Sequence, residues 1–180
     1  MEKFETLKTE ILKRAKEQSA CKEQYARALK SNTYQELLQV VKDNFSWAAT
    51  HKIIDADLIG EYKQVFNDND IWCNESVSIG FLLATDSATV EATDSATVRA
   101  YDSATVRAYG RATVEAYDSA TVRAYDRATV EATDSSYCIS YSTIECKLSK
   151  NAILRIIPTN TIYTATDSEL SFKEQPTTTI

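Results

Sequence analysis

Two short runs, sixteen residues apart, hold most of the side chains in this chain that are equipped to bind something: Arg107-Ala108-Tyr109-Gly110-Arg111 and Arg123-Ala124-Tyr125-Asp126-Arg127. Guanidinium groups offer planar forks of donors that fit carboxylates and phosphates, and phenol rings add flat apolar faces with one hydroxyl each. Arg107, Tyr109, Arg111, Arg123, Tyr125 and Arg127 are therefore the candidate partner-binding residues. Their chemistry is recognition. Neither residue type at this spacing makes an acid–base pair or an activated nucleophile.

The other reactive residues do not form a site at the level of sequence. His51 is the single histidine and has no nucleophile near it, so it is expected in a partly exposed loop rather than as a base. Cys21, Cys73, Cys138 and Cys146 contain no CxxC pair, and reduced thiols are expected, with Cys138 and Cys146 acting as small buried apolar groups. Asn67-Asp68-Asn69-Asp70 opens like a calcium loop but lacks the glycine and the distal glutamate, which leaves a turn. Asp/Ser pairs recur too regularly to be a differentiated catalytic centre. The expectation is no catalytic residue, no metal site and no cofactor.

What must position the arginines and tyrosines is a repeat. From Ala84 to Thr133 the eight-residue phrase A-[TY]-[DG]-[SR]-A-T-V-[ER] recurs with little variation. Eight residues cannot close a solenoid turn, so each octad should be one side of a coil, a short strand A-T-V-[ER]-A followed by a corner. Alternation then sends alanine and valine inward and threonine, charge and tyrosine outward. So thin a core suits two sheets pressed together, with two octads per turn.

Exceptions to the repeat support that choice. In the serine slot, Ser87, Ser103, Ser119 and Ser135 form one series, and Ser95, Arg111, Arg127 and Thr143 the other. Stacking by sixteen pairs Glu91 with Arg107, Arg99 with Glu115 and Glu131 with Lys147, against the like pairs Arg107/Arg123 and Glu115/Glu131. Stacking by twenty-four creates more like-charge neighbours. The central column runs Leu82, Val90, Val98, Val106, Val114, Val122 and Val130, and the same slot continues as Cys138, Cys146, Leu154, Ile162 and Leu170. The solenoid is therefore expected from about 77 to about 172, in roughly five to six turns, with Pro158 interrupting pairing.

Before the repeat the pattern is helical. Phe4, Leu7, Ile11 and Ala15 stripe a helix expected from Glu2 to about Lys30. Thr33 and Glu36 have capping-box spacing, and Leu37, Leu38, Val41, Phe45 and Ala48 share a face behind them, with Trp47 at its edge. Asp55 can cap a third helix running to about Phe66. Ile71–Cys73 and Val77–Ile79 read as strands. The expected organisation is an α-helical N-terminal capping domain at 1–70, a two-sheet flattened parallel β-helix of about sixteen residues per turn at 71–172, and a flexible tail at 173–180.

Net charge is −6, about −2 over residues 1–80 and −4 over 81–180, which does not favour bare nucleic acid as the main partner. No cationic leader with an apolar run opens the sequence, and no segment is apolar enough for a membrane span, so a cytoplasmic location without membrane contact is expected.

The octad at Ala108–Glu115 resembles repeats in uncharacterised bacterial and bacteriophage proteins. In those, a helical segment and an N-x-x-V-x-x-G-[FY]-L-L junction precede ATVRAYGSATV-type arrays, and Asn74, Val77, Gly80, Phe81, Leu82 and Leu83 match that junction. The resemblance covers most of the chain and carries no established activity. A weaker similarity, limited to the corner and the period, is to bacterial ice-nucleation proteins. Their paired threonine columns are replaced here by one column per face, Thr89, Thr105, Thr121 and Thr97, Thr113, Thr129, beside charged residues.

The expectation is a rigid non-enzymatic interaction scaffold or inhibitor, encoded by a phage or mobile element and directed at a host or defence protein. Ice binding and nucleic-acid binding or mimicry are the alternatives. Homo-oligomerisation through the N-terminal helix or the solenoid end is a further expectation. The bland reading of the same ladders is that tyrosine and charge solubilise a flat sheet.

Overall fold

The computed structural model describes residues 2–142, 144–165 and 170–173 of the chain. It divides into two compact units, Met1–Trp72 and Cys73–Ile180.

In the first unit, α1 (Glu2–Glu17) buries Phe4, Leu7, Ile11 and Ala15, the stripe read from the sequence. It does not run to Lys30. The helix is stopped at Ser19, whose φ is 57°. Ser19 N–H donates to the Lys16 carbonyl at 3.1 Å and Ala20 N–H to the Ala15 carbonyl at 2.9 Å, the paired bonds of a Schellman stop. A second helix, α2 (Lys22–Lys30), then packs back on the first. The usual glycine signal is absent because serine takes the left-handed position, at a cost of about 1 kcal/mol.

The next two expected helices also divide. The first becomes α3 (Tyr34–Asp43) and α4 (Phe45–Thr50), broken at Asn44, whose Nδ2 donates to the Val40 carbonyl at 2.8 Å. The second becomes α5 (Ala56–Glu61) and α6 (Lys63–Asn67), broken at Tyr62. The Thr33 hydroxyl accepts from Glu36 N–H at 3.2 Å as expected, but the Glu36 carboxylate reaches one residue further back, to Asn32 N–H at 2.7 Å. Asp55 caps α5 through Leu58 N–H at 2.8 Å, and its other oxygen takes Arg14 at 2.8 Å. Arg14 also holds Glu10 at 2.7 Å, so it ties the unit together internally.

β1 (Ile71–Cys73) crosses the boundary between units. Val77–Ile79 is not a strand: Val77 makes a single parallel bridge to Ala92, a register of fifteen rather than sixteen. The regular coils start with β2 (Phe81–Ala84) and β3 (Thr89–Ala92). They continue as β4 (Thr97–Ala100), β5 (Thr105–Ala108), β6 (Thr113–Ala116), β7 (Thr121–Ala124), β8 (Thr129–Ala132), β9 (Tyr137–Ser140), β10 (Glu145–Leu148) and β11 (Ile153–Ile156).

Even-numbered strands from β2 to β10 pair in parallel in one sheet and odd-numbered strands from β3 to β11 in the other, each in a register of sixteen. This is the expected two-sheet β-solenoid, with about five turns and two octads per turn. The valine column and both alanine slots from Ala96 to Ala128 are buried between the sheets, with Cys138 and Cys146 continuing the column as free buried thiols.

The corners explain the recurrent aspartates. Asp86, Asp94, Asp102, Asp118, Asp126 and Asp134 all have positive φ, a conformation that aspartate tolerates better than most side chains. Their carboxylates also bond between coils: Asp102 accepts from Asp86 N–H at 3.3 Å, and Asp118 from Asp102 N–H at 3.2 Å. Gly110 stands where the other corners have aspartate. A Cβ there would come 3.1 Å from the Asp94 backbone nitrogen, so glycine permits the closer approach.

The parallel coil ends at Ile156, short of the expected 172. A turn over Ile157–Asn160, with Pro158 at its second position, reverses the chain into β12 (Thr161–Thr164), which pairs antiparallel with β11. β13 (Leu170–Lys173) pairs antiparallel with β10. Reversal destroys the eight-residue phase: Tyr163, not Ile162, lies opposite Leu154, and Ile162 is 62% exposed. The larger residues Ile153, Leu154, Ile156 and Ile157 are expected from the sequence to thicken the core at this end, but Ile157 is likewise exposed and only Leu154 and Ile156 are buried. Lys173, the expected start of the flexible tail, is the last residue of β13; the rest of that tail, from residue 174 onward, and the slot assigned to Thr143 lie outside the described residues.

Candidate partner-binding face

Each candidate residue is placed by the octad. In β5 and β7, Val106 and Val122 point inward, so Arg107 and Arg123 must point outward, and the parallel register sets them side by side. Tyr109 and Tyr125 follow at the strand exits. Their rings stack at 4.6 Å between centroids, and Tyr141 extends the stack at a further 4.6 Å. Burial within the stack and the flanking phenols raise the Tyr125 pKa above its ordinary value. Arg111 and Arg127 sit exposed on successive corners, tied by the backbone bond from Arg127 N–H to the Gly110 carbonyl at 2.9 Å.

The six residues thus share one edge and one sheet, but they are not electrostatically equivalent. Arg107 is bound by Glu91 of the preceding coil at 3.1 Å, an exposed pair worth little in stability. Arg123 faces Arg107 on one side and Ile139 on the other. Its Nε is shut off from solvent with no acceptor among the described residues. Arg155, two coils beyond Arg123, is separated from it by Ile139 and contacts Asn160 at 3.4 Å.

No protein-family model, curated protein or solved structure matches the chain. Among the described residues, no group of His, Cys, Asp or Glu side chains is placed to hold a metal ion, and no helix is long and apolar enough to cross a membrane. His51 ends α4, stacked on Trp47 at 4.6 Å with Nδ1 3.0 Å from the Trp47 carbonyl oxygen.

The other sheet carries a second arginine–tyrosine cluster that sequence reasoning missed as a site. Arg99 lies outward by alternation, yet it is only 3% exposed. It pairs with Glu115 of the next coil and donates to the Tyr117 hydroxyl, which itself donates to Glu115 at 2.8 Å. Tyr101 stacks on Tyr117 at 4.9 Å. Burial and the hydrogen bond to Glu115 push the Tyr117 phenol well above its ordinary pKa, against the opposing pull of Arg99. Burial works against the Arg99 charge, but Glu115 more than offsets it and the pKa is raised. Stacking by sixteen gave the Arg99–Glu115 pair; nothing in the octad marked it as buried.

Proposed function

We propose that the chain is a non-enzymatic scaffold that binds a partner protein through the Arg107–Arg127 edge, and that it acts as an inhibitor by occupying an acidic surface of that partner. The observation that carries this reading is Arg123. Its guanidinium lies beside a like charge with a desolvated, unpartnered Nε, next to a column of tyrosines, and a carboxylate from outside that paired with the half-buried guanidinium would offset that like charge. A phage or mobile-element origin and a host target follow only from the repeat's resemblance and belong to this proposal.

A protein suits this surface better than a nucleic-acid strand does. Bases bind by lying on open aromatic faces, whereas Tyr109, Tyr125 and Tyr141 already cover one another at 4.6 Å and present mainly their edges. Ice binding is disfavoured by the length of the threonine columns. Thr89, Thr105 and Thr121 end against Tyr137, and Thr97, Thr113 and Thr129 are bounded by Phe81 and Glu145.

The test is affinity capture from host extract with the native chain and with Arg107→Glu/Arg111→Glu/Arg123→Glu/Arg127→Glu. Nuclease-resistant capture of a protein that is lost in the variant, which keeps the native circular dichroism spectrum, is expected. Equal capture by the variant removes the edge from the proposal, and nuclease-sensitive capture moves it to nucleic acid.

A further inference from the structure

The helical unit contains a cavity of about 280 Å³ that no expected core packing accounts for. It opens between α1, α2, α3 and α4, and the positions facing it are unusually small: Ala15, Ala20, Ala28 and Ala48 all line it. It is half open: Cys21 is exposed and Ala20, Gln24, Tyr25 and Trp47 are half-buried at its mouth, while Ala15, Ala28 and Ala48 are buried at its floor, where tight packing would normally fill the space. Alanine at four lining positions therefore leaves space where leucine or phenylalanine would close the core.

The lining also defines what fits. It contains no charged side chain, which excludes ionic headgroups and free carboxylates. Trp47 and Tyr25 supply aromatic surface, and Trp47 is held in place by its stack on His51. Gln24 and Asn44 are the polar groups. Asn44 Nδ2 donates to the Val40 carbonyl at 2.8 Å and to Gln24 Oε1 at 3.3 Å, and among the described residues no donor reaches Asn44 Oδ1. The volume is roughly twice the ~150 Å³ of an apolar cavity that accommodates benzene.

We propose that this cavity is a binding site for a small, uncharged aromatic molecule of two fused rings that carries one hydroxyl or N–H donor, the donor going to Asn44 and the rings lying against Trp47. The site belongs to the helical unit alone and is independent of the arginine–tyrosine edge.

The experiment uses the full chain carrying Trp72→Phe, so that Trp47 is the single tryptophan, and titrates it with 1-naphthol, naphthalene and 1-naphthalenesulfonate. Saturable one-to-one quenching of Trp47 by 1-naphthol is expected. Filling the cavity with Ala28→Phe, or with Ala20→Phe at the more exposed rim, should weaken that binding by about tenfold or more without lowering the thermal midpoint. Asn44→Leu should weaken 1-naphthol relative to naphthalene. The sulfonate should bind at least about tenfold more weakly than 1-naphthol, because its charge has no partner in the lining. No saturable quenching in the Trp72→Phe chain, equal binding after the cavity is filled, or equal binding of the sulfonate would each overturn the proposal.

Discussion

The words Val98-Arg99-Ala100-Tyr101 and Val122-Arg123-Ala124-Tyr125 are identical, yet the two sheets use them differently. Arg99 is buried, paired with Glu115 and bonded to Tyr117. Arg123 has Arg107 on one side, Ile139 on the other and an Nε without an acceptor. Because the octad is the same, the difference must come from the residue sixteen positions away. In a solenoid of this period, the neighbouring coil rather than the local sequence decides whether an arginine is structural or available.

The largest expected effect breaks the satisfied side of that contrast. Glu115→Ala strands a buried guanidinium and should cost about 3 kcal/mol in chemical denaturation, whereas removing the exposed partner pair with Arg107→Ala should cost less than about 1 kcal/mol. Equal costs would mean that burial does not separate the two faces.

A second effect, intermediate in size, appears with pH. The Tyr117 pKa is raised in the fold, so its neutral form is the one the fold favours. That contribution is complete below the unfolded tyrosine value of about 10 and is lost as pH rises from there through the folded value. Titration followed by phenolate absorbance should show a last tyrosine, later than the also-raised Tyr125, that vanishes in Tyr117→Phe, together with falling stability above pH ~10. A titration curve unchanged in Tyr117→Phe would refute the network.

The smallest effect sharpens the contrast from the other face. Arg123→Glu places a carboxylate between Arg107 and Ile139 and removes the stranded Nε, so it should raise stability by about 0.5 kcal/mol while abolishing partner capture. Lower stability would show that Arg123 is already satisfied.

Much of this was legible before any coordinates, for reasons that differ by region. The valine column could be counted because each coil repeats the same inward slot, and Cys138, Cys146 and Leu154 kept that slot after the wording of the repeat had decayed. The count failed at Ile162 because a turn reversed the chain, and a period says nothing about strand direction. The stop at Ser19 was missed because the left-handed residue is not glycine. The arginine–tyrosine edge was legible as a set of neighbours, but the cavity was not. Alanines on three helices and the link between α1 and α2 look like ordinary helix formers until packing leaves space between them.

The coil could be read by counting residues: two octads per turn, valine and alanine inside, and charges paired or opposed at a separation of sixteen. Those features follow from strand alternation and from stacking one residue on its counterpart, and both can be read by counting. Tertiary structure alone decided which arginine is buried, where the parallel coils end and where the helical core is left unfilled. Burial, chain reversal and packing volume depend on residues far apart in the chain, and no repeat encodes them.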